Sequence, residues 1–264
     1  MHTLFLTIEW TASPEIIQIG PLSLRWYGLF FATSFMVGLF LLRKMFLDEN
    51  QPEEWLDKVF MYMVIGTIIG ARLGHVFFYD WDYYSQHLSE IPQIWKGGLA
   101  SHGGALGIII ALWMFSRKIS KKSVLWILDR VAGPSVLGGF FIRMGNLMNS
   151  EIIGIPSDAP WAFIFTSRDD IPRHPVQLYE SLSYLVIFAI LYYTYWYTNK
   201  KEKSGYIIGQ FFVFVFIARF FLEQFKQSQG GFENAVNNAL STGQLLSIPF
   251  ILVGLYLMFR PEKG

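Results

Sequence analysis

Residues 131–149, VAGPSVLGGFFIRMGNLMN, decide how many times this chain crosses a bilayer. The stretch has the length of a span, because about 20 helical residues cover a hydrocarbon core of ~30 Å. Its four glycines, one proline, one arginine and two asparagines make it the least hydrophobic candidate, and a strict hydropathy window passes over it. Six other stretches are plainly apolar: Leu22–Leu42, Val59–Phe78, Leu99–Phe115, Leu178–Tyr197, Gly205–Leu222 and Thr242–Phe259. Whether the total is six or seven is settled by the basic residues between them.

Lys and Arg accumulate in cytoplasmic connections. With 131–149 counted as a span, one side carries Arg43, Lys44, Lys58, Arg117, Lys118, Lys121, Lys122, Arg130, Lys200, Lys201, Lys203, Arg260 and Lys263. The other side carries only Lys96, Arg168, Arg173 and Lys226. Thirteen against four places the N-terminus outside and the C-terminus in the cytoplasm; omitting the stretch destroys the alternation. The predicted fold is an all-α integral membrane protein of seven transmembrane helices, one membrane domain over residues 1–264. The connection 150–177, with Pro156, Pro160, Pro172 and Pro175, predicts a small outer lobe. The N-terminal arm, with Phe5, Ile8, Trp10, Ile16 and Ile17, is expected to lie flat at the interface.

Composition agrees with this class. The chain is 53% hydrophobic before its 23 glycines are added, and 16% charged. Soluble domains average roughly 45–50% apolar with glycine included, and roughly 25% charged. Disorder, collagen, a coiled coil and a basic nucleic-acid binder are excluded, the last also by a net charge of +1. The absence of cysteine excludes disulfides, zinc–thiolate sites and a cysteine nucleophile within the chain. Residues 1–20 hold no Lys or Arg, and Glu9 and Glu15 interrupt any apolar run, so no secretory leader is expected.

Ionisable residues inside spans are costly and mark a site by default. Here they are Arg25, Arg72, His75, His102, Arg143, Glu180, Arg219 and Glu223, with Asn146, Asn149 and Gln244 beside them. By the predicted orientation all lie in outer halves; Arg143, six residues before Asn149, is ~9 Å down at 1.5 Å per residue. The cytoplasmic halves read as aliphatic and aromatic. A transporter would place its site near the midplane, so this asymmetry favours a ligand from the outer leaflet. The arginines favour an anion, and guanidinium matches phosphate bidentately. The reading is an outer-leaflet site for a phospholipid headgroup, with a lipid or small-anion transporter as the alternative.

Blander roles compete at individual positions. Arg25 reads as a snorkelling interfacial residue. Arg72 reads either as a ligand contact or as the partner of Glu180 or Glu223. His75 and His174 read as structural. Arg219 and Glu223, four apart, read as a local ion pair. Glycines 103, 104 and 107, and 138 and 139, read as close-packing positions. No metal-ligand spacing is present.

Six segments carry a more specific signal. They are LRWYGL (24–29), SHGG (101–104), IRMGNLMNSE (142–151) with Gly154, RHPVQLYE (173–180), Arg219 with Glu223, and TGQLLSIP (242–249). In this order they resemble the bacterial phosphatidylglycerol–prolipoprotein diacylglyceryl transferases, from about residue 16 to 259. The chain departs from that family at Ile142 and Ser150, where glycine is usual, and at Val215, where tyrosine is common. The resemblance implies transfer of a diacylglyceryl group from phosphatidylglycerol to the lipobox cysteine of a preprolipoprotein still bearing its signal peptide, with release of glycerol 1-phosphate at the outer leaflet of the inner membrane. It implies His102, Arg143 and Arg219 as catalytic residues and Tyr27, Arg143, Asn146, Glu151, Gly154 and Glu223 as substrate-binding ones. It implies no cofactor or metal, and no partner beyond the bilayer and the two substrates.

Overall fold

The computed structural model describes residues 7–20, 22–227 and 240–261. Among them, seven helices are long and apolar enough to cross a membrane. They are α1 (Trp26–Asp48), α2 (Glu54–Phe78), α4 (Ser101–Phe115), α5 (Val124–Met148), α6 (Val176–Tyr197), α7 (Tyr206–Leu222) and α8 (Thr242–Phe259). A four-residue helix α3 (Trp81–Tyr84) lies between α2 and α4, and a π-turn at Ser116–Ser120 prolongs α4. The stretch that decided the count is therefore helical up to Met148, but its helix begins seven residues earlier than expected. The chain divides into two compact units, Met1–Phe40 with Asp129–Gly264, and Leu41–Leu128.

The unit 41–128 is built on the contact of α2 with α4. Gly66, Gly70 and Gly74 repeat every fourth residue on α2 and meet Gly103 and Gly107 of α4. A Cβ added at Gly107 would lie 3.0 Å from the Gly70 Cα and would strike the Gly66 carbonyl. Only hydrogen fits in such a seam, which lets backbones approach as in other small-residue membrane contacts. An aromatic cluster closes the far end of the unit. Phe46 stacks on Trp126 at 5.9 Å, Trp55 meets Phe115 at 6.1 Å, and the Trp126 indole donates to Glu49 at 3.1 Å.

The other unit contains most of α1 and all of α6, α7 and α8, with α5 from Asp129 onward. Two small sheets accompany its helices, one before α1 and one joining the N-terminal arm to the α5–α6 connection. The hairpin of β2 (Glu15–Ile19) and β3 (Leu22–Arg25) takes the four residues expected to open the first span, so Arg25 sits on a strand. It pairs there with Glu15 at 3.3 Å instead of snorkelling from a helix. Ile16, Ile17, Ile19 and Leu24 of this hairpin are exposed. The arm before it contains a strand. β1 (Ile8–Trp10) runs parallel to β4 (Phe163–Phe165), which pairs with β5 (Pro172–Arg173). Trp10 stacks on Phe163 at 5.4 Å and donates to the Leu147 carbonyl at 3.1 Å. Leu147, Phe163 and Phe165 form a buried cluster against which Trp10 of the N-terminal arm, Ile153 and Leu178 pack. Phe5 lies outside the described residues.

One expectation fails at the opposite end of α5. Asp129 and Arg130, which read as loop residues, are almost fully buried within the helix. The Asp129 carboxylate accepts the Gly205 amide at 2.7 Å and the Ile208 amide at 2.8 Å, satisfying donors that α7 leaves open at its start. The halves predicted to face the cytoplasm are therefore not purely apolar. Asp129→Ala orphans both amides and is expected to cost about 2 kcal/mol, the upper range for a lost N-cap. A lowered midpoint in denaturant-driven unfolding of the solubilised protein checks this.

Candidate active site

The site grows from the last turn of α5. Arg143 and Asn146 stand three residues apart on one helix face, and the Arg143 Nη1 donates to the Asn146 Oδ1 at 3.2 Å. The helix ends at Met148, and the chain turns through Ser150 and Ile152, both with left-handed backbone (φ +51° and +54°). The position where the family usually has glycine thus has the conformation that glycine adopts without strain. A β-branched residue such as Ile152 is a genuine outlier there. These two turns hold Glu151 between them. Its carboxylate accepts the Asn146 amide at 3.2 Å and the Asn149 amide at 3.3 Å, while its carbonyl takes the Gln177 side chain at 2.6 Å. Glu151 therefore orients Asn146 and pairs with no arginine among the described residues.

Glu180 of α6, 1% exposed, is the centre of an ionic chain. One of its oxygens lies 2.8 Å from the Arg143 Nε and the other 2.8 Å from the Lys226 ammonium. These contacts are ionic rather than directional hydrogen bonds. Lys226 also reaches Glu223 at 3.1 Å. The sequence counted Lys226 only as a loop charge, yet it is the cation that Glu223 holds. The expected Arg219–Glu223 pair is not formed, because the carboxylate turns to Lys226 and packs against Gly243. The Arg219 Nε is left buried with no hydrogen-bond partner among the described residues. Tyr184, which no motif singled out, lies within electrostatic reach of Arg143, Glu180 and Arg219. Gly139 makes room for its ring, since a Cβ there would sit 3.1 Å from it.

Other predicted residues frame this chain of charges. Tyr27 packs on Gly145, where an added Cβ would come within 2.8 Å of its ring. Gly154 is needed for space: a Cβ would lie 2.8 Å from the Phe225 carbonyl and 2.8 Å from the His174 Cβ. Its amide donates to the His174 carbonyl at 3.2 Å, and it bridges to Lys226, so it sets the approach of that lysine. His174 is structural as expected; its Nδ1 meets the Tyr179 hydroxyl at 3.1 Å, and burial lowers its pKa. Gln244 completes a capping box with Ser241 and ties α8 to the Phe220 carbonyl at 3.2 Å. Arg173 grips Asp169 through two nitrogens, which holds that carboxylate below its ordinary pKa.

The unit 41–128 holds the remaining candidates. Among the described residues Arg72 is held by loop carbonyls and by no carboxylate. Its guanidinium donates to the carbonyls of Glu90, Ile91, Gly97 and Gly98 at 2.6–3.3 Å and lies over the Tyr84 ring. Loop carbonyls need donors as much as a buried cation needs acceptors, and this pairing satisfies both. His75 pairs with Asp80 at 2.8 Å. His102 stands exposed in the first turn of α4.

Comparison with known proteins gives one answer. The family model of prolipoprotein diacylglyceryl transferase matches residues 14–260. A relative from Chloroherpeton thalassium, named phosphatidylglycerol–prolipoprotein diacylglyceryl transferase, is 50% identical over 256 residues, 97% of this chain and 95% of its own. Relatives of the same name from Tolumonas auensis and Porphyromonas gingivalis are 46% and 41% identical, over 96% and 99% of this chain and 97% of their own lengths. With seven membrane-length helices, a family match over residues 14–260 and the Arg143–Glu180–Lys226 ionic chain at the motif residues, the chain belongs to the prolipoprotein diacylglyceryl transferase family.

Proposed function

We propose that this chain transfers the diacylglyceryl group of phosphatidylglycerol to the thiol of a lipobox cysteine in a preprolipoprotein. The reaction takes place at the outer leaflet of the bacterial inner membrane. The cysteine sulfur attacks the glycerol carbon bonded to the phosphate oxygen. A C–S bond forms, the C–O bond breaks, and glycerol 1-phosphate leaves with the bonding pair. Thiolate is the competent nucleophile and a free cysteine has a pKa of ~8.5, so a base is needed near neutral pH. His102 takes that proton. The departing phosphate gains negative charge as the bond breaks, and arginines aimed at it stabilise that change.

The observation that carries this reading is the Arg219 Nε, buried with no partner among the described residues, on an arginine that shares Tyr184 with Arg143 as an electrostatic neighbour. A buried guanidinium donor without an acceptor is costly, and a phosphate oxygen supplies the acceptor. Glu180, shared between Arg143 and Lys226, fixes the angle of the Arg143 fork, whose Nη1 is held in turn by Asn146. Glu151 acts through Asn146, whose amide it holds. Glu223 acts on the same cluster by holding Lys226, and Tyr27 packs on Gly145, the residue before Asn146.

The test is incubation of purified protein with headgroup-labelled phosphatidylglycerol and a lipobox peptide. Release of labelled glycerol phosphate in step with peptide modification is expected. Lipid movement between leaflets without peptide modification would instead establish the transporter alternative.

A further inference from the structure

We propose that Arg72 is a positioning residue for His102; the inference rests on His102 serving as the base. α4 begins without a capping side chain: its N-cap residue is Ala100, which offers no acceptor to the open amides. What holds the start of this helix is α2. The Ala100 amide donates to the Ala71 carbonyl at 2.9 Å. The next residue of α2, Arg72, is 3% exposed and grips the chain immediately upstream, at Gly97 (2.6 Å) and Gly98 (3.3 Å).

The same guanidinium reaches back to Ile91 at 2.7 Å and Glu90 at 2.9 Å, so one planar fork fixes both ends of the segment that leads into α4. Gly97 and Gly98 have left-handed backbone (φ +85° and +72°). A Cβ on Gly98 would lie 2.9 Å from the Arg72 Nη1 and 2.5 Å from the His75 Nε2. His75 is itself oriented by Asp80 at 2.8 Å. Three residues separate Gly98 from His102, and directly after it Gly103 packs 2.7 Å from the Gly74 Cα by its would-be Cβ. His102 is thus bracketed by two contacts with α2, and the upstream one depends on Arg72.

A lysine keeps the charge but, as a point donor, cannot satisfy four carbonyls spread around a fork. Arg72→Lys and, independently, Gly98→Ala are expected to lower kcat for thioether formation about 100-fold, the penalty for misplacing a catalytic group by ~1 Å. KM for the peptide should change by less than about two-fold. Amide exchange over residues 99–104 should accelerate in both variants. In a His102→Gln background, itself impaired, Arg72→Lys should cost nothing further, because the base it positions is gone. Losses that multiply in that background, or unchanged exchange over 99–104 in both variants, would overturn the inference while leaving the base in place. Full activity of His102→Gln alone would remove the base, and the inference with it.

Discussion

Arg143→Ala is expected to reduce thioether formation by about 10³-fold, at the upper end of what one lost transition-state donor costs. The loss should appear in kcat more than in KM, because the phosphate develops its second charge only as the C–O bond breaks. Arg143→Lys should recover little, since an ammonium cannot bridge Glu180, Asn146 and a phosphate from one position. The protein should still fold. Glu180 keeps Lys226 at 2.8 Å, so removing Arg143 does not strand a buried carboxylate. Glu180→Ala is the more disruptive change, because it leaves two cations facing each other. Rates from a peptide-modification assay, measured on protein with an unchanged unfolding midpoint, check the prediction.

The second large effect concerns the glycine seam. Gly107→Leu places a side chain where the Gly66 carbonyl and the Gly70 Cα already stand, and neither backbone can yield alone. The expected cost is about 3 kcal/mol or more, the severe end of overpacking, read as a lower unfolding midpoint or loss of folded protein. Gly104→Ala, in the same GGALG motif, is expected to be tolerated. Its Cβ would meet Ala71 at 3.5 Å and Thr67 at 3.6 Å, ordinary contact distances. Equal loss in both variants would contradict the seam as described.

Much of this was legible in advance, and the exceptions share one cause. The span at 131–149 was recoverable because charge alternation is a property of the whole chain. Its true start at Val124 was not, because Asp129 is stable in the helix only through amides 76 and 79 residues away. Glycines 103 and 107 were legible as packing positions; their partners on α2 required the crossing itself. Arg72 was correctly marked as a costly charge, but sequence offers carboxylates as partners and cannot show four loop carbonyls converging. Lys226 was missed because position after a span is read as solvent. Its burial follows from the Gly154 bridge, a pairing of segments 72 residues apart. The strand in the arm was not legible for the same reason: Ile8–Trp10 finds its partner at Phe163–Phe165. Local pattern told which residues matter, and long-range pairing told what each one holds.

The central claim is that the lipid is cleaved at carbon, with phosphate leaving from the arginine cluster. The most direct measurement uses phosphatidylglycerol carrying heavy oxygen in the bridge between the diacylglycerol carbon and phosphorus, with a lipobox peptide as acceptor. Mass analysis of both products should find a peptide enlarged by a diacylglyceryl group without the label, and glycerol phosphate that retains it. Label-free glycerol phosphate, or a peptide that gains an acyl chain or a phosphatidyl group, would contradict the account.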